Sequence, residues 1–168
     1  VDGVFDEKYL QELDLPKGVS ITPLEQVPQE SYEKILEIKS LKKKTSKDYM
    51  THLNEMFLKH GVFIHVEKRT ELNTPIHLIH LSTTQDKHYF STQKNYLYLE
   101  EQAQATIYES FYSYPQEDHK EQANIAVENV HFDFFLKKNS RLTYGKTQTE
   151  KAEHNKHQLS SHCFFQQE

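Results

Sequence analysis

The spacing of the hydrophobic residues changes near residue 61. Upstream of it, two stretches carry apolar residues at the 3.6-residue spacing of amphipathic helices. From Val62 onward, apolar and polar residues alternate in short runs, which is typical of strands that bury one face. The pattern therefore predicts a helical segment followed by a β-rich region.

An extended lead-in is predicted over residues 1–28. The run LPKGV at 15–19 has turn chemistry, because proline fixes φ and glycine permits a positive φ. Val19, Ile21 and Leu24 then indicate a short strand. A helix beginning at Tyr32 is expected next, with Ser31 as its cap. Its apolar residues are Ile35, Leu36 and Ile38, and it ends in the basic run KKK at 42–44, a solvated helix terminus.

A second helix is predicted before residue 61, with Ser46 as its cap. Gly61 is expected to end this helix in the left-handed conformation. We expect the apolar face of the helix to pack on the strand that begins at Val62. The predicted face consists of Tyr49, Leu53, Met56, Phe57 and His60.

The β-rich region contains an internal repeat. Three segments align, each with an aliphatic first residue, a small fifth residue and an apolar seventh residue: VEKRTEL at 66–72, LEEQAQA at 99–105 and LKKNSRL at 136–142. Two residues upstream of the segments stand Ile64, Leu97 and Phe134, at intervals of 33 and 37 residues. Repeats of this length with strand periodicity indicate a solenoid or an array.

A parallel arrangement fits this repeat better than hairpins do. Gly145 is the only glycine after Val62, so tight glycine turns are scarce and propeller blades are disfavoured. The predicted fold is mainly β: a parallel β-helix (β-solenoid) over residues 61–168, preceded by residues 1–60 with a short strand and two helices. We expect Ile64, Leu97 and Phe134 to point into a common interior. The small residues Thr70, Ala103 and Ser140 are expected at the corners.

Composition and charge narrow the function classes. The 168 residues carry a net charge of −5, which argues against a dedicated nucleic-acid binder because phosphate neutralisation needs a basic face. No apolar run approaches the ~20 residues needed to span a bilayer, so a membrane protein is not expected. The N-terminus lacks a secretory signal and an initiator Met, which indicates a piece of a longer chain. With one cysteine and no internal disulfide, the expected location is cytoplasmic.

The chain contains eleven histidines, which are common metal ligands. His77 and His80 are three residues apart, which in a strand places them on opposite faces, and His80 is expected to be a hydrogen-bonded core histidine. His154 and His157 lie in a polar stretch without a second pair at zinc spacing. The histidines therefore predict no metal site.

The other chemical motifs are also weak. His162 and Cys163 are strand neighbours that face opposite ways, and Cys163 is interpreted as a small buried apolar residue. The run GKT at 145–147 lacks the earlier glycine of a phosphate-binding loop. Glu100 and Glu101 are expected to diverge at a corner as surface charges rather than to form a catalytic acid pair. No catalytic, cofactor-binding or metal residue is predicted.

An ordered series of segments resembles the SufB/SufD family of iron–sulfur cluster assembly proteins. The segments are LNEMF at 53–57, GVFIHV at 61–66, PIHLIH at 75–80, NYLYLEEQAQA at 95–105 and YESF at 108–111, followed by Asn129, Leu136, Leu142 and Gln148. The run LPKGV at 15–19 is similar to the SufD branch. The resemblance covers about residues 50–168 well and residues 1–49 loosely.

This resemblance implies a right-handed parallel β-helix subunit of a SUF-type (SufBCD) complex. It implies a non-enzymatic, cytoplasmic scaffold that acts by protein–protein interaction, with a SufB-like sister subunit and a SufC-like ABC-type ATPase as partners. The cluster is assembled in the full complex, and no cofactor is expected in this chain. The interface and docking residues of the family lie C-terminal to these segments, so none is transferred.

Two alternative functions stay open from the sequence. The first is an unrelated β-solenoid interaction module. Composition does not distinguish it from the SufB/SufD family, and only the series of family-like segments does. A β-helix enzyme acting on polysaccharide needs convergent carboxylates or a calcium site, which the sequence does not offer. An open β-helix end would also allow a homodimer of this fragment.

Overall fold

The fold was analysed in a computed structural model, which describes residues 1, 4–6, 8, 14–42, 49–83, 88–114, 126–149 and 156–166. Within these ranges the chain forms eight strands, two α-helices and a short 3₁₀ helix at Leu24–Gln26. The helices are α1 (Gln29–Lys42) and α2 (Tyr49–Met56). The strands are β1 (Val19–Pro23), β2 (Val62–Val66), β3 (Ile76–Thr83), β4 (Tyr89–Leu99), β5 (Gln104–Tyr114), β6 (Ala126–Leu136), β7 (Arg141–Thr149) and β8 (Lys156–Gln166).

The strands form two sheets, and successive strands from β2 to β8 alternate between them. The five-stranded sheet has the order β1-β2-β4-β6-β8, and the three-stranded sheet has the order β3-β5-β7. β1 pairs with β2 in the antiparallel sense, and the strand pairs that follow are parallel. The prediction of a mainly β chain with two helices and parallel sheets is confirmed.

The predicted stack of repeat residues is present in the strand register. Ile64 pairs with Leu97, Leu97 pairs with Phe134, and Phe134 pairs in turn with Phe164. The hydrophobic core between the two sheets contains three fully buried repeat residues, Ile64, Leu97 and Phe134. Ile107 on β5 belongs to the same core. The repeat therefore aligns side chains that share one hydrophobic core.

The three corners of the repeat share one turn. In each, the fourth residue of the aligned segment adopts a left-handed conformation: Arg69, Gln102 and Asn139, with φ of 62°, 60° and 58°. The N–H of the small residue that follows donates to the carbonyl oxygen of the second residue: Thr70 to Glu67, Ala103 to Glu100 and Ser140 to Lys137, at 3.0–3.1 Å. The corners turn without glycine, although a positive φ is uncommon for other residues.

The turn at 15–19 and the start of the first strand lie where the sequence predicts them. Gly18 has a φ of +85°, as the turn chemistry of 15–19 requires, and the strand begins at Val19. The prediction for Leu24 is wrong, because this residue starts the short 3₁₀ helix rather than continuing the strand.

Helix α1 covers the outer face of the five-stranded sheet. It begins at Gln29, so Ser31 lies inside the helix and does not cap it. Ile35 and Ile38 are buried with the strand residues Phe63, Tyr96, Tyr98 and Phe135. Leu36, in contrast, is 46% exposed, so its predicted place on the apolar face is wrong. The five-stranded sheet is thus buried on both faces, which explains the nearly continuous apolar runs of its central strands.

The apolar face predicted for α2 is wrong. Tyr49, Met56 and Phe57 are mostly exposed, and the residues that α2 buries are Thr51 and Asn54. The predicted cap, Ser46, lies outside the described residues.

Polar contacts explain this orientation of α2. The Asn54 amide donates to the backbone oxygens of Gln93 and Asn129, at 2.9 and 2.7 Å. The Asn129 amide in turn donates to the carbonyl oxygen of Met50, at 2.8 Å. Hydrogen bonds to the strands, made by residues outside the predicted apolar face, therefore orient α2.

Gly61 has a different role from the one predicted. It does not adopt the left-handed conformation, and α2 ends five residues earlier, at Met56. A Cβ atom at Gly61 would lie 1.8 Å from the carbonyl oxygen of Lys94. Glycine is needed here because the chain passes against β4, not because a helix ends.

Candidate functional site

The first candidate site is a carboxylate buried between the two sheets. Glu109 lies on β5, and its side chain has no exposed surface. Three side chains from other strands converge on it: Nε2 of His80 lies 2.8 Å from Oε1, Nε2 of His162 lies 3.0 Å from Oε2, and the hydroxyl of Tyr144 donates to Oε2. Each partner comes from a different strand, so the cluster joins β3, β5, β7 and β8.

These partners keep Glu109 ionised. Burial alone raises the pKa of this carboxyl, but the hydrogen bonds from His162, His80 and Tyr144 outweigh burial and hold the pKa well below its usual range. In the same contact, burial and the hydrogen bond to Glu109 raise the pKa of the Tyr144 hydroxyl. The cluster is a hydrogen-bonded network around a buried carboxylate rather than an isolated charge.

His80 is the core histidine that the sequence predicts. Its ring stacks on Phe111 with centroids 4.3 Å apart, and its Nδ1 lies 3.2 Å from Oε1 of Gln93. His77 takes a separate partner, with its Nε2 2.8 Å from Oγ of Ser110, and it is exposed whereas His80 is buried. The prediction that the two histidines do not act together is consistent with these separate partners.

A cavity of about 470 Å³ adjoins this cluster. Its lining includes His80 and Gln93 from the cluster, together with Val62 and Leu78 from the strands and Phe5 from the N-terminal segment. The lining is mainly apolar.

The second candidate site lies on the outer face of the five-stranded sheet, beside α2. Lys94 on β4 is fully buried, and its Nζ lies 2.7 Å from Oε1 of Glu55 and 3.4 Å from Oδ2 of Asp133. Burial lowers the pKa of Lys94, but the Tyr96 hydroxyl and the two carboxylates outweigh it and raise that pKa above its usual value. The ammonium group is therefore charged and paired.

His131 and Asp133 extend this site along β6. Nε2 of His131 lies 2.7 Å from Oδ1 of Asp133, and both side chains are fully buried. The other ring nitrogen, Nδ1, is hydrogen-bonded to Oγ of Ser161 on β8. Cys163 completes the group: one ligand atom from each of His131, Asp133 and Cys163 lies within 4.8 Å of the others.

This placement corrects the interpretation of Cys163. As predicted, its neighbour His162 serves the opposite side of the strand, where it contacts Glu109. Cys163, however, is partly exposed and lies beside ionisable groups, so it is not a buried apolar residue. Its register partner Asp133 comes from a strand 30 residues upstream, and sequence spacing alone does not reveal such a pairing.

Two further motifs lie where the sequence places them. Glu100 and Glu101 diverge: Glu100 contacts Nε2 of His65 at 2.9 Å, and Glu101 pairs with Lys68 on the surface. The GKT run at 145–147 lies within β7. His154 lies outside the described residues, and so does the side chain of His157.

Sequence reasoning missed Glu109, Tyr144, His131 and Asp133. A signal existed for Glu109, because in the run ATIYESF it alternates with Ile107 and Phe111 and so shares their inward face. An acidic residue at an inward position predicts a buried partner. Which residues supply that partner depends on the register between strands.

Comparison with known proteins bears on the first part of the chain. No curated protein matches the chain. In the described residues, no helix is long and apolar enough to cross a membrane. The family model described as SufBD protein N-terminal region matches residues 1–78, which contain the lead-in, both helices and β2. This match supports the SufB/SufD family for the first part of the chain, although residues 1–49 resemble the family only loosely by motif.

Proposed function

We propose that the chain is part of a SufD-like scaffold subunit in a SUF-type iron–sulfur cluster assembly complex. The observation that carries the proposal is the match of residues 1–78 to the SufBD N-terminal region. The resemblance of 15–19 to the SufD branch favours SufD over SufB. The acidic net charge of −5 agrees with a protein partner rather than a nucleic acid.

The fold component of this proposal is a right-handed parallel β-helix. Strands β2 to β8 alternate between two parallel sheets, and each return to the same sheet brings repeat positions into register, as for Ile64, Leu97 and Phe134. The stacked turns at Arg69, Gln102 and Asn139 support coils of similar shape. Stacked coils make a stiff body, because each strand is hydrogen-bonded to the next.

The proposed mechanism is presentation of a rigid surface. The β-helix pairs with a SufB-like sister subunit, and the pair recruits a SufC-like ATPase. The iron–sulfur cluster forms in the complete cytoplasmic complex. The proposal gives this chain no catalytic residue. Its buried groups, such as Glu109 with His80 and His162, hold strands of both sheets together instead.

An affinity pull-down tests the proposal. The tagged subunit that contains this chain is captured from the cytosol of its own organism, with a tag-only bait in parallel. The captured proteins are identified by mass spectrometry. Recovery of an ABC-type ATPase together with a second β-helix subunit is expected. Recovery of neither with a folded bait contradicts the scaffold role and leaves an unrelated β-solenoid interaction module as the better account.

A further inference from the structure

The group formed by His131, Asp133 and Cys163 has a geometry suited to a metal ion. In the parallel register of β6 and β8, Asp133 lies opposite Cys163. His131 precedes Asp133 by two residues, so both side chains project from the same face of β6. One imidazole nitrogen, one carboxylate oxygen and one sulfur thus lie within 4.8 Å of one another.

The three donors specify a class of metal. Thiolate and imidazole are ligands of first-row transition metals such as Zn²⁺ and Fe²⁺, and a carboxylate commonly completes such sets. Calcium and magnesium take oxygen ligands, which a cysteine does not supply. Three protein ligands leave a coordination position for water or for a ligand from a partner.

The surroundings orient the ligands. Nδ1 of His131 is hydrogen-bonded to Oγ of Ser161, which leaves Nε2 on the side of Asp133. A hydrogen bond of this kind to the second ring nitrogen fixes the orientation of metal-ligating histidines. His131 and Asp133 are fully buried whereas Cys163 is partly exposed, so the group is reachable from the side of β8.

The carboxylates beside the group favour a divalent ion. Asp133 and Glu55 contribute two negative charges and Lys94 contributes one positive charge. Deprotonation of the Cys163 thiol adds a third negative charge. Lys39 also interacts electrostatically with Lys94, Glu55 and Asp133, and burial is the largest cause that lowers its pKa.

We propose that His131, Asp133 and Cys163 form a binding site for a divalent first-row transition metal ion of the Zn²⁺ or Fe²⁺ type. The site rests on local geometry and is independent of the proposed scaffold role. The proposal differs from the sequence analysis, which predicts no metal or cofactor in this chain.

Cobalt binding tests the site directly. Co²⁺ replaces Zn²⁺ and Fe²⁺ in such sites, and a bound thiolate gives a sulfur-to-metal charge-transfer band in the near ultraviolet. Because Cys163 is the sole cysteine, this band reports on it alone. Titration of the 168-residue chain is expected to produce the band, Cys163→Ser to abolish it, and His131→Gln or Asp133→Asn to weaken Co²⁺ binding at least tenfold.

A matched control uses the paired histidines of the polar stretch. The double variant His154→Gln and His157→Gln removes the alternative chelating pair and is expected to keep the band and the affinity. Circular dichroism confirms that each variant is folded. A band that persists unchanged in the His131 and Asp133 variants, or that disappears in the double variant, overturns the assignment.

A second measurement needs no substitution. In the unaltered chain, Zn²⁺ is expected to slow alkylation of Cys163 by iodoacetamide at least tenfold, and a chelator is expected to restore the rate. Alkylation at the same rate with and without Zn²⁺ overturns the proposal even if the buried variants fail to fold.

Discussion

Nε2 of His162 lies 3.0 Å from Oε2 of Glu109, although 53 residues separate them in the chain. The contact crosses the interior, from β8 in the five-stranded sheet to β5 in the three-stranded sheet. His80 reaches the same carboxylate from β3 at 2.8 Å. One buried carboxylate thus ties together strands from both sheets.

Removal of this carboxylate is expected to destabilise the fold. Glu109→Ala leaves His80, His162 and Tyr144 without their shared acceptor, and a buried polar group left without its partner costs about 1–3 kcal/mol. The free energy of unfolding from urea denaturation measures the effect. Glu101→Ala, which removes a surface carboxylate paired with Lys68, is the control and is expected to change stability little. Equal effects of the two substitutions contradict the network.

The same carboxylate makes stability depend on acid. Because the pKa of Glu109 is lower in the folded chain than its ordinary value of 4.5, its contribution is fully present above that value. The contribution is lost progressively as the pH falls below 4.5 toward the folded-state pKa. Urea midpoints of the unaltered chain are expected to fall more steeply with acid than those of Glu109→Gln. Parallel curves for the two proteins contradict the assignment.

The stack of repeat residues is a second source of stability. Leu97→Ala removes a fully buried side chain between Ile64 and Phe134, and such truncations cost about 2–5 kcal/mol. Ile79→Ala, on β3 and 58% exposed, is the matched control for an aliphatic residue outside the core. Thermal unfolding of the two variants separates the positions, and a similar loss at both contradicts a shared interior.

Gly61 and Gly145 differ in what a side chain would meet. A Cβ atom at Gly61 would lie 1.8 Å from a backbone oxygen of Lys94, whereas at Gly145 it would approach the ring of Tyr108 at 2.8 Å. The ring belongs to a partly exposed side chain that can move, but the backbone of β4 cannot. Overpacking typically costs about 1–3 kcal/mol, and Gly61→Ala is expected to lower the free energy of unfolding by at least this much. Gly145→Ala is expected to lower it by less. The opposite order in chemical denaturation contradicts the close approach at Gly61.

The sequence predicts the parts of the fold that depend on local pattern. The alignment of Ile64, Leu97 and Phe134 follows from a repeat that recurs in register, and the lead-in turn follows from the conformational freedom of Gly18. The orientation of α2 does not follow from its pattern, because Asn54 docks on strand backbone and overrides the apolar spacing.

The candidate sites were less accessible from the sequence. Glu109 with His162, and Asp133 with Cys163, are brought together by strand register over 53 and 30 residues. Neither pair has a spacing that distinguishes it from chance. A strand alternation can say which face a residue occupies, but not which residue of another strand lies beside it.

The proposed assembly role is tested most directly by native mass spectrometry of the subunit that contains this chain, co-expressed with the SufB-like and SufC-like proteins of its own organism. The account predicts a single complex that contains all three proteins. The account is contradicted if the subunit that contains this chain is detected only at its own mass, unbound, while the other two proteins associate with each other.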